Sequence, residues 1–353
     1  MGVALGLALA LGATSAHAVS PDPNPWLERH FLNIAHQGGE DEAPSNTMFA
    51  FKSALAVRGA DMLELDVQLT PDGHLVVIHD DTVARTTNGP TARPDSQVRN
   101  MTLAQVQALD AGYWFRPGSY SHDTSIPPEE FIYRGIRTGE KKPPKGYEAD
   151  DFRIPTLREV LDAFPHTPIN IEIKMPKICD GGLECDQAVL GIPTAQALAA
   201  LLNEPAYAAR DDIIVVSFSD LLVATFHQLD EAPYVALAPG VAGVATYALT
   251  GLPPVPDVAA FQVPPTQNGL AVPELLFAQD VHEDGYAVHV WPNGDKPDGE
   301  ASYARLIALG IDGYMSSQPS RLHAFLCAKG IPQPDGSDRC SKKKPKGRAT
   351  LQG

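Results

Sequence analysis

Short apolar or β-branched runs recur along the chain, most of them followed by stretches whose apolar positions repeat at helical spacing, which is the pattern of a parallel α/β fold. Eight principal strands are predicted, at residues 32–36, 62–69, 169–174, 213–218, 234–238, 260–263, 287–291 and 313–316. Between them lie helical patterns at 47–57, 157–164, 194–202, 221–229, 273–282 and 303–309. Asn46 or Thr47 is the expected N-cap of the first, and Ser219 or Asp220 that of the fourth. Eight strand–helix units suggest a (β/α)8 TIM barrel. The competing arrangement is an open doubly wound sheet, but the glycine-rich phosphate turn of its nucleotide-binding version is missing.

A ninth apolar run, 75–79, follows the second strand after only Pro71-Asp72-Gly73, a turn too short to hold a crossover helix. It is therefore expected to return as a hairpin partner. That return carries His79 and Asp80 back toward the level of Glu64 and Asp66, at the mouth formed by the carboxyl ends of the strands. Residues 82–153 form a long insertion rich in Pro, Gly and charge, with one helix at 103–109. Loops this long inside a compact domain usually serve function, and this one is expected to be a cap that shapes substrate access.

Composition narrows the picture. A chain of 353 residues, 44% of them hydrophobic, has enough apolar side chains for one large core, so residues 19–340 read as a single barrel domain. Residues 1–18, MGVALGLALALGATSAHA, are an apolar run ending in Ala16-His17-Ala18, the small-residue pattern of a signal peptide, although no Lys or Arg precedes it. The mature chain is expected to begin near Val19 and to be secreted, extracellular or periplasmic. No later segment approaches the ~20 apolar residues of a membrane-spanning helix. Four cysteines suit an exported chain, and proximity favours Cys179–Cys185 and Cys327–Cys340 among three connectivities. Tight metal-binding cysteine spacing is lacking. The formal charge is −16 even with the basic tail of residues 341–353 included, which argues against nucleic acid as a partner. That tail reads as a solvated, disordered terminus.

Candidate chemistry lies on two strands. In Glu64-Leu65-Asp66 the period of two puts both carboxylates on one face and Leu63, Leu65 and Val67 on the other. In 169–174 the same alternation puts Asn170, Glu172 and Lys174 inside and three isoleucines outside. Carboxylates converging in a barrel raise one another's pKa unless a cation neutralises them. Glu64, Asp66 and Glu172 thus form an oxygen site of the kind that Ca2+ or Mg2+ prefers. A buried ion-pair network with Lys174 is the plainer alternative, and it accounts for one carboxylate of the three. His36 and His79 each end a strand facing the mouth, and two histidines beside a carboxylate cluster suit an acid and a base near neutral pH. Phe218, Gln262, Trp291 and the insertion aromatics Tyr113, Trp114 and Phe115 are candidates for lining the pocket, Trp291 foremost.

These segments, in order, resemble the glycerophosphodiester phosphodiesterase family, a group of phosphatidylinositol-phosphodiesterase-like TIM barrels. The likeness runs through Ile34-Ala35-His36-Gln37-Gly38-Gly39, Pro44-Ser45-Asn46-Thr47, the stretch from Gly59 to Val67, Thr70-Pro71-Asp72-Gly73, Val76-Val77-Ile78-His79-Asp80 and Arg85-Thr86-Thr87. It continues through Pro155-Thr156-Leu157, Asn170 to Lys174, Val216-Ser217-Phe218, Trp291 and Gly310-Ile311-Asp312-Gly313, covering most of residues 32–322. The resemblance implies a (β/α)8 barrel that hydrolyses glycerophosphodiesters to an alcohol and glycerol 3-phosphate. It further implies His36 and His79 as the catalytic pair, Glu64, Asp66 and Glu172 as ligands of a divalent cation, and Lys174 near the phosphate. The family usually has Arg after the first histidine and Glu before Asn-Thr; here those positions are Gln37 and Ser45. Gln37 would offer phosphate neutral hydrogen bonds where Arg offers a charged fork, so phosphate binding should lean on the metal and Lys174.

Other readings use the same residues. A lysophospholipase D-type phosphodiesterase would need an apolar groove at the mouth, for which the insertion supplies little apolar sequence. A glycosidase built on two carboxylates would explain neither the histidine pair nor the third carboxylate. A secreted phosphoester-binding protein without turnover would have no need of an acid–base pair.

Overall fold

The computed structural model describes residues 24–341 apart from 120, 177–186, 257 and 294–297. The signal-peptide reading, the Cys179–Cys185 pairing and all but the first residue of the basic tail lie outside the described residues.

Among the described residues nine strands form one sheet: β1 Leu32–Ala35, β2 Met62–Leu69, β3 Leu75–Val77, β4 Ile169–Ile173, β5 Ile213–Val216, β6 Ala236–Leu237, β7 Ala260–Val263, β8 Ala287–Val290 and β9 Gly313–Ser316. The order β6-β5-β4-β2-β1-β9-β8-β7 is parallel throughout. Its two ends are joined by a backbone hydrogen bond from Ala259 N–H to the Leu237 carbonyl (2.9 Å), so the eight parallel strands nearly close into the predicted TIM barrel. The sixth strand is only two residues long, shorter than the sequence predicts.

Alternation sorts each strand. Leu63, Leu65, Val67, Ile169, Ile171 and Ile173 are buried in the layer between sheet and helices. Leu32, Ile34, Met62, Ile214 and Met315 meet Trp26 in a second apolar cluster inside the barrel. Trp26 is held there by Asn24, whose side-chain amide donates to the carbonyls of Ala259 and Gly285 (2.7 and 2.8 Å). Parallel strands covered on both faces must be apolar almost throughout, so the polar interior positions of β2 and β4 stand out.

The hairpin forms as expected. Gly73, at φ +85°, closes the turn by donating to the Thr70 carbonyl (3.0 Å), and β3 pairs antiparallel with Val67–Leu69 of β2. Ile78 N–H donates to the Asp66 carbonyl (2.9 Å), which places His79 beside the carboxyl end of β2.

The insertion departs from the expected cap. Phe49 stacks with Phe152 (4.6 Å) and meets Tyr133 and Tyr147 edge-on, joining the insertion to the helix Met48–Ala56. Val83, Val98, Met101 and Val106 pack with Val76 and Ile78 of the hairpin region. Arg134 lies over Tyr113, Trp114 and Phe131 at 4.0, 4.6 and 4.1 Å. These aromatics therefore build a core for the insertion itself.

Candidate active site

The three carboxylates converge as predicted. In the register of the sheet Glu64 lies opposite Asn170 and Asp66 opposite Glu172, and one oxygen each of Glu64, Asp66 and Glu172 fall within 4.8 Å of one another. Glu64 and Asp66 are buried. Burial first, then the neighbouring charge of Asp66, pushes the Glu64 carboxyl up to about 8. Burial opposes ionisation of Asp66 as well, but Lys174 and the two histidines outweigh it and hold this carboxyl low. Lys174 Nζ sits 2.8 Å from Glu172 Oε1 and 3.4 Å from Asp66 Oδ1. Asn46 Nδ2 donates to the other oxygen of Asp66 (2.8 Å). Asp66 Oδ1 is buried and accepts no hydrogen bond. One lysine among three carboxylates leaves surplus negative charge at this buried site, which fits a divalent cation.

His36 follows β1 in a tight turn with Gln37, Gly38 and Gly39 at φ +49°, +82° and +88°. Gly38 allows this turn to lie on the helix Met48–Ala56, for a Cβ there would come within 2.6 Å of the Ala50 Cβ. The turn aims Gln37 N–H at Glu64 Oε2 (2.7 Å) and brings His36 Nε2 to 3.9 Å from the same oxygen. His36 Nδ1 contacts Glu40 Oε1 at 2.5 Å, and Ser317 Oγ donates to that oxygen (2.8 Å). Burial resists charging the His36 ring, but Glu40 and Glu64 override it and raise its pKa to about 10. His79 is built likewise: its Nδ1 lies 2.6 Å from Asp80 Oδ1, and Arg85 Nε donates to Asp80 Oδ2 (2.7 Å). Although burial opposes it, bonds from His79 and Arg85 hold the Asp80 carboxyl far below the usual range. A carboxylate on Nδ1 fixes the proton there and leaves Nε2 as the available nitrogen.

Both histidines, Glu64, Glu172 and Lys174 line one cavity of about 480 Å³, together with Asn170, Phe218, Gln262 and Trp291. Gln262 Nε2 donates to Asn170 Oδ1 (2.7 Å), and Phe218 meets Trp291 edge-on at 5.7 Å. Tyr113, Trp114 and Phe115 are not part of this lining, and no described residue of 82–153 is. The outer wall comes instead from the helix Val241–Thr250 and from residues 263–275.

Gln37 needs a correction as a substrate ligand. Its side chain is buried and its Oε1 accepts from Ser45 Oγ (2.5 Å), so the two positions that depart from the family pattern bond to each other away from the cavity. Sequence reasoning missed Glu40 and Ser317; the only signal for Glu40 was a carboxylate four residues after a strand-end histidine.

The family profile described as "Glycerophosphoryl diester phosphodiesterase family" matches residues 36–320. A glycerophosphodiester phosphodiesterase of Caldanaerobacter subterraneus subsp. tengcongensis is 31% identical over 296 residues, spanning 82% of this chain and 96% of that one. One from Bacillus subtilis is 26% identical over 316 residues, spanning 88% and 89% of the two chains. The fold is similar to that of an Oleispira antarctica phosphodiesterase solved with its product sn-glycerol-3-phosphate, with a TM-score of 0.56, 22% identity, and 86% and 98% of the two chains covered.

Proposed function

The chain belongs to the glycerophosphoryl diester phosphodiesterase family and is a hydrolase of glycerophosphodiesters, and we propose that His36 and His79 are its acid–base pair, acting beside a divalent cation held by Glu64, Asp66 and Glu172. The observation that carries this reading is the convergence of two carboxylate-oriented histidines and three acidic oxygens on one cavity. Glu64, Asp66 and Glu172 would hold Ca2+ or Mg2+, which when bound would supply charge neutralisation at the phosphoryl group, and Lys174 places a second positive group at the same wall.

The proton transfers fall to the histidines. Among the described residues Glu40 is ion-paired with His36 alone and otherwise accepts from the Ser317 hydroxyl. Asp80, facing His79, is partly neutralised by Arg85. His36 is thus the better donor to the leaving alkoxide and His79 the better acceptor of the proton from water. Trp291 and Phe218 form the wall against which the substrate rests. The run at residues 1–18 supports export of the chain, which amino-terminal sequencing of the mature protein would test.

The deciding assay offers glycerophosphocholine and glycerophosphoethanolamine to purified protein with Ca2+, with Mg2+ and with a chelator, and scores glycerol phosphate against free head group. Release of glycerol 3-phosphate that the chelator abolishes is the expected result. His36→Ala and His79→Ala should each lose roughly 10²–10⁴-fold in rate while still binding the cation. Turnover that persists in both variants would sink the acid–base assignment.

A further inference from the structure

The insertion lines no part of the cavity, yet it reaches the active site from behind. Residues 79–90, which lead from β3 into the insertion, contain no helix and no strand beyond the single bridge of Thr82 to Gln97. This loop carries His79, Asp80 and Arg85, so groups outside regular structure must fix the orientation of the His79 ring.

A histidine next in sequence to its aspartate is a loose arrangement, because each side chain turns about its own χ angles. Arg85 removes that freedom. Its Nε and Nη2 donate to Asp80 Oδ2 and Oδ1 (2.7 and 3.2 Å), a fork that fixes the plane of the carboxylate, and Oδ1 so placed lies 2.6 Å from His79 Nδ1. The backbone under Arg85 is gripped in turn. His122 N–H donates to the Arg85 carbonyl and Trp114 Nε1 to the Thr87 carbonyl, both at 2.8 Å, one on each side of Thr86. Trp114 is itself buried in the insertion core, with His122 stacked on its ring at 4.2 Å and Phe131 edge-on at 5.2 Å. A buried indole N–H needs an acceptor, and here the acceptor belongs to the loop that bears His79. Neither Arg85 nor Trp114 lines the cavity, so neither is placed to touch substrate.

We propose that Arg85 and Trp114 are positioning residues for His79: the insertion core holds the loop at Thr87, the loop aims the Arg85 fork, and the fork keeps the Asp80 carboxylate on Nδ1. The inference rests on the assignment of His79 above, and it gives the insertion a part in the reaction other than that of a cap. In a purely packing role, loss of the indole N–H lowers stability and leaves turnover alone. In the positioning role it lowers kcat, because a misaimed base still admits substrate.

The test measures kcat and KM for glycerophosphocholine, with the cation present, in Arg85→Ala, Arg85→Lys, Trp114→Phe, His79→Ala and the double variant of His79→Ala with Arg85→Ala. Arg85→Ala is expected to lose roughly 10–100-fold in kcat with KM little changed, to regain part of that loss in non-denaturing guanidinium, and to cost nothing further in the His79→Ala background. Arg85→Lys keeps the charge without the fork and should fall between. Trp114→Phe keeps the ring packing and removes only the donor, so a loss of roughly 2–10-fold in kcat is expected, the worth of one hydrogen bond. Full kcat in Arg85→Ala, a loss that guanidinium leaves unrestored, or one that adds to that of His79→Ala would overturn the route through Asp80. A Trp114→Phe protein that unfolds at lower temperature but turns over normally would overturn the part given to the insertion. Normal turnover in His79→Ala itself would remove the catalytic reading and this inference with it.

Discussion

Glu40 lies one helical turn after His36, yet it acts through a loop, reaching the ring because three successive residues adopt positive φ. Its charge holds His36 protonated, so Glu40→Gln should lower the pKa of that ring. A general acid works only while protonated, so the alkaline limb of the kcat/KM profile should move to lower pH, with roughly a ten- to hundred-fold loss in kcat. An unmoved alkaline limb would separate Glu40 from the acid. The Gln37–Ser45 bond makes a second prediction at this scale. Both side chains are buried, so Gln37→Arg or Ser45→Glu alone introduces an unpaired charge and should destabilise by roughly 2–4 kcal/mol. Combined, they can pair, and a urea-unfolding cycle should give a coupling of roughly 1–3 kcal/mol; additive losses would mean that the two never meet.

Among elements, Asp220 shows what sequence reading could and could not reach. It was a candidate cap for its own helix, Asp220–Leu229, but its carboxylate accepts instead from Gly240, Ala242 and Gly243 N–H at 3.0, 2.9 and 3.0 Å. It thereby fastens the start of the Val241–Thr250 helix. Asp220→Ala should lower stability by about 1–2 kcal/mol, with Asp220→Asn falling between, as read from thermal unfolding. That helix escaped prediction because its apolar stripe faces a cavity and four of its ten residues are Ala or Gly, so it carries little of the usual contrast between core and solvent faces. The strands were legible because alternation has one meaning in a covered parallel sheet, and with them came Glu64, Asp66, Glu172 and Lys174. His79 was legible because a three-residue turn permits only a hairpin. Tyr113, Trp114 and Phe115 misled because an aromatic cluster in a long insertion looks the same in sequence whether it meets a ligand or its own loop. The partners of Asp220 and Glu40 depend on tertiary approach and leave no periodic trace.

The molecule as a whole is a barrel nearly closed at its seam and sealed at its floor. Asn24 and Trp26 seal the amino-terminal side. Arg339 binds Asp61 and the Phe31 carbonyl at 2.7 and 3.0 Å, and the Cys327–Cys340 disulfide secures the segment that carries it. This closed interior isolates His289, which is fully buried and has no hydrogen-bond partner for either ring nitrogen among the described residues. Burial depresses its pKa to about 4. The folded state therefore refuses a proton that the unfolded chain accepts below about 6.5, so stability present above that value is lost as pH falls toward about 4. Urea unfolding near pH 7 and near pH 5 should differ by roughly 2 kcal/mol from this group, and His289→Leu should remove that part of the difference. An unchanged pH dependence in the variant would show that other groups govern acid unfolding.

The groups assigned to chemistry, from His36 to Lys174, all lie on β1 to β4 and the turns that follow them, whereas the outer wall of the cavity is drawn from residues after β6. Substitutions in the second half of the barrel can accordingly reshape the outer cavity while the charged groups at its base stay in place.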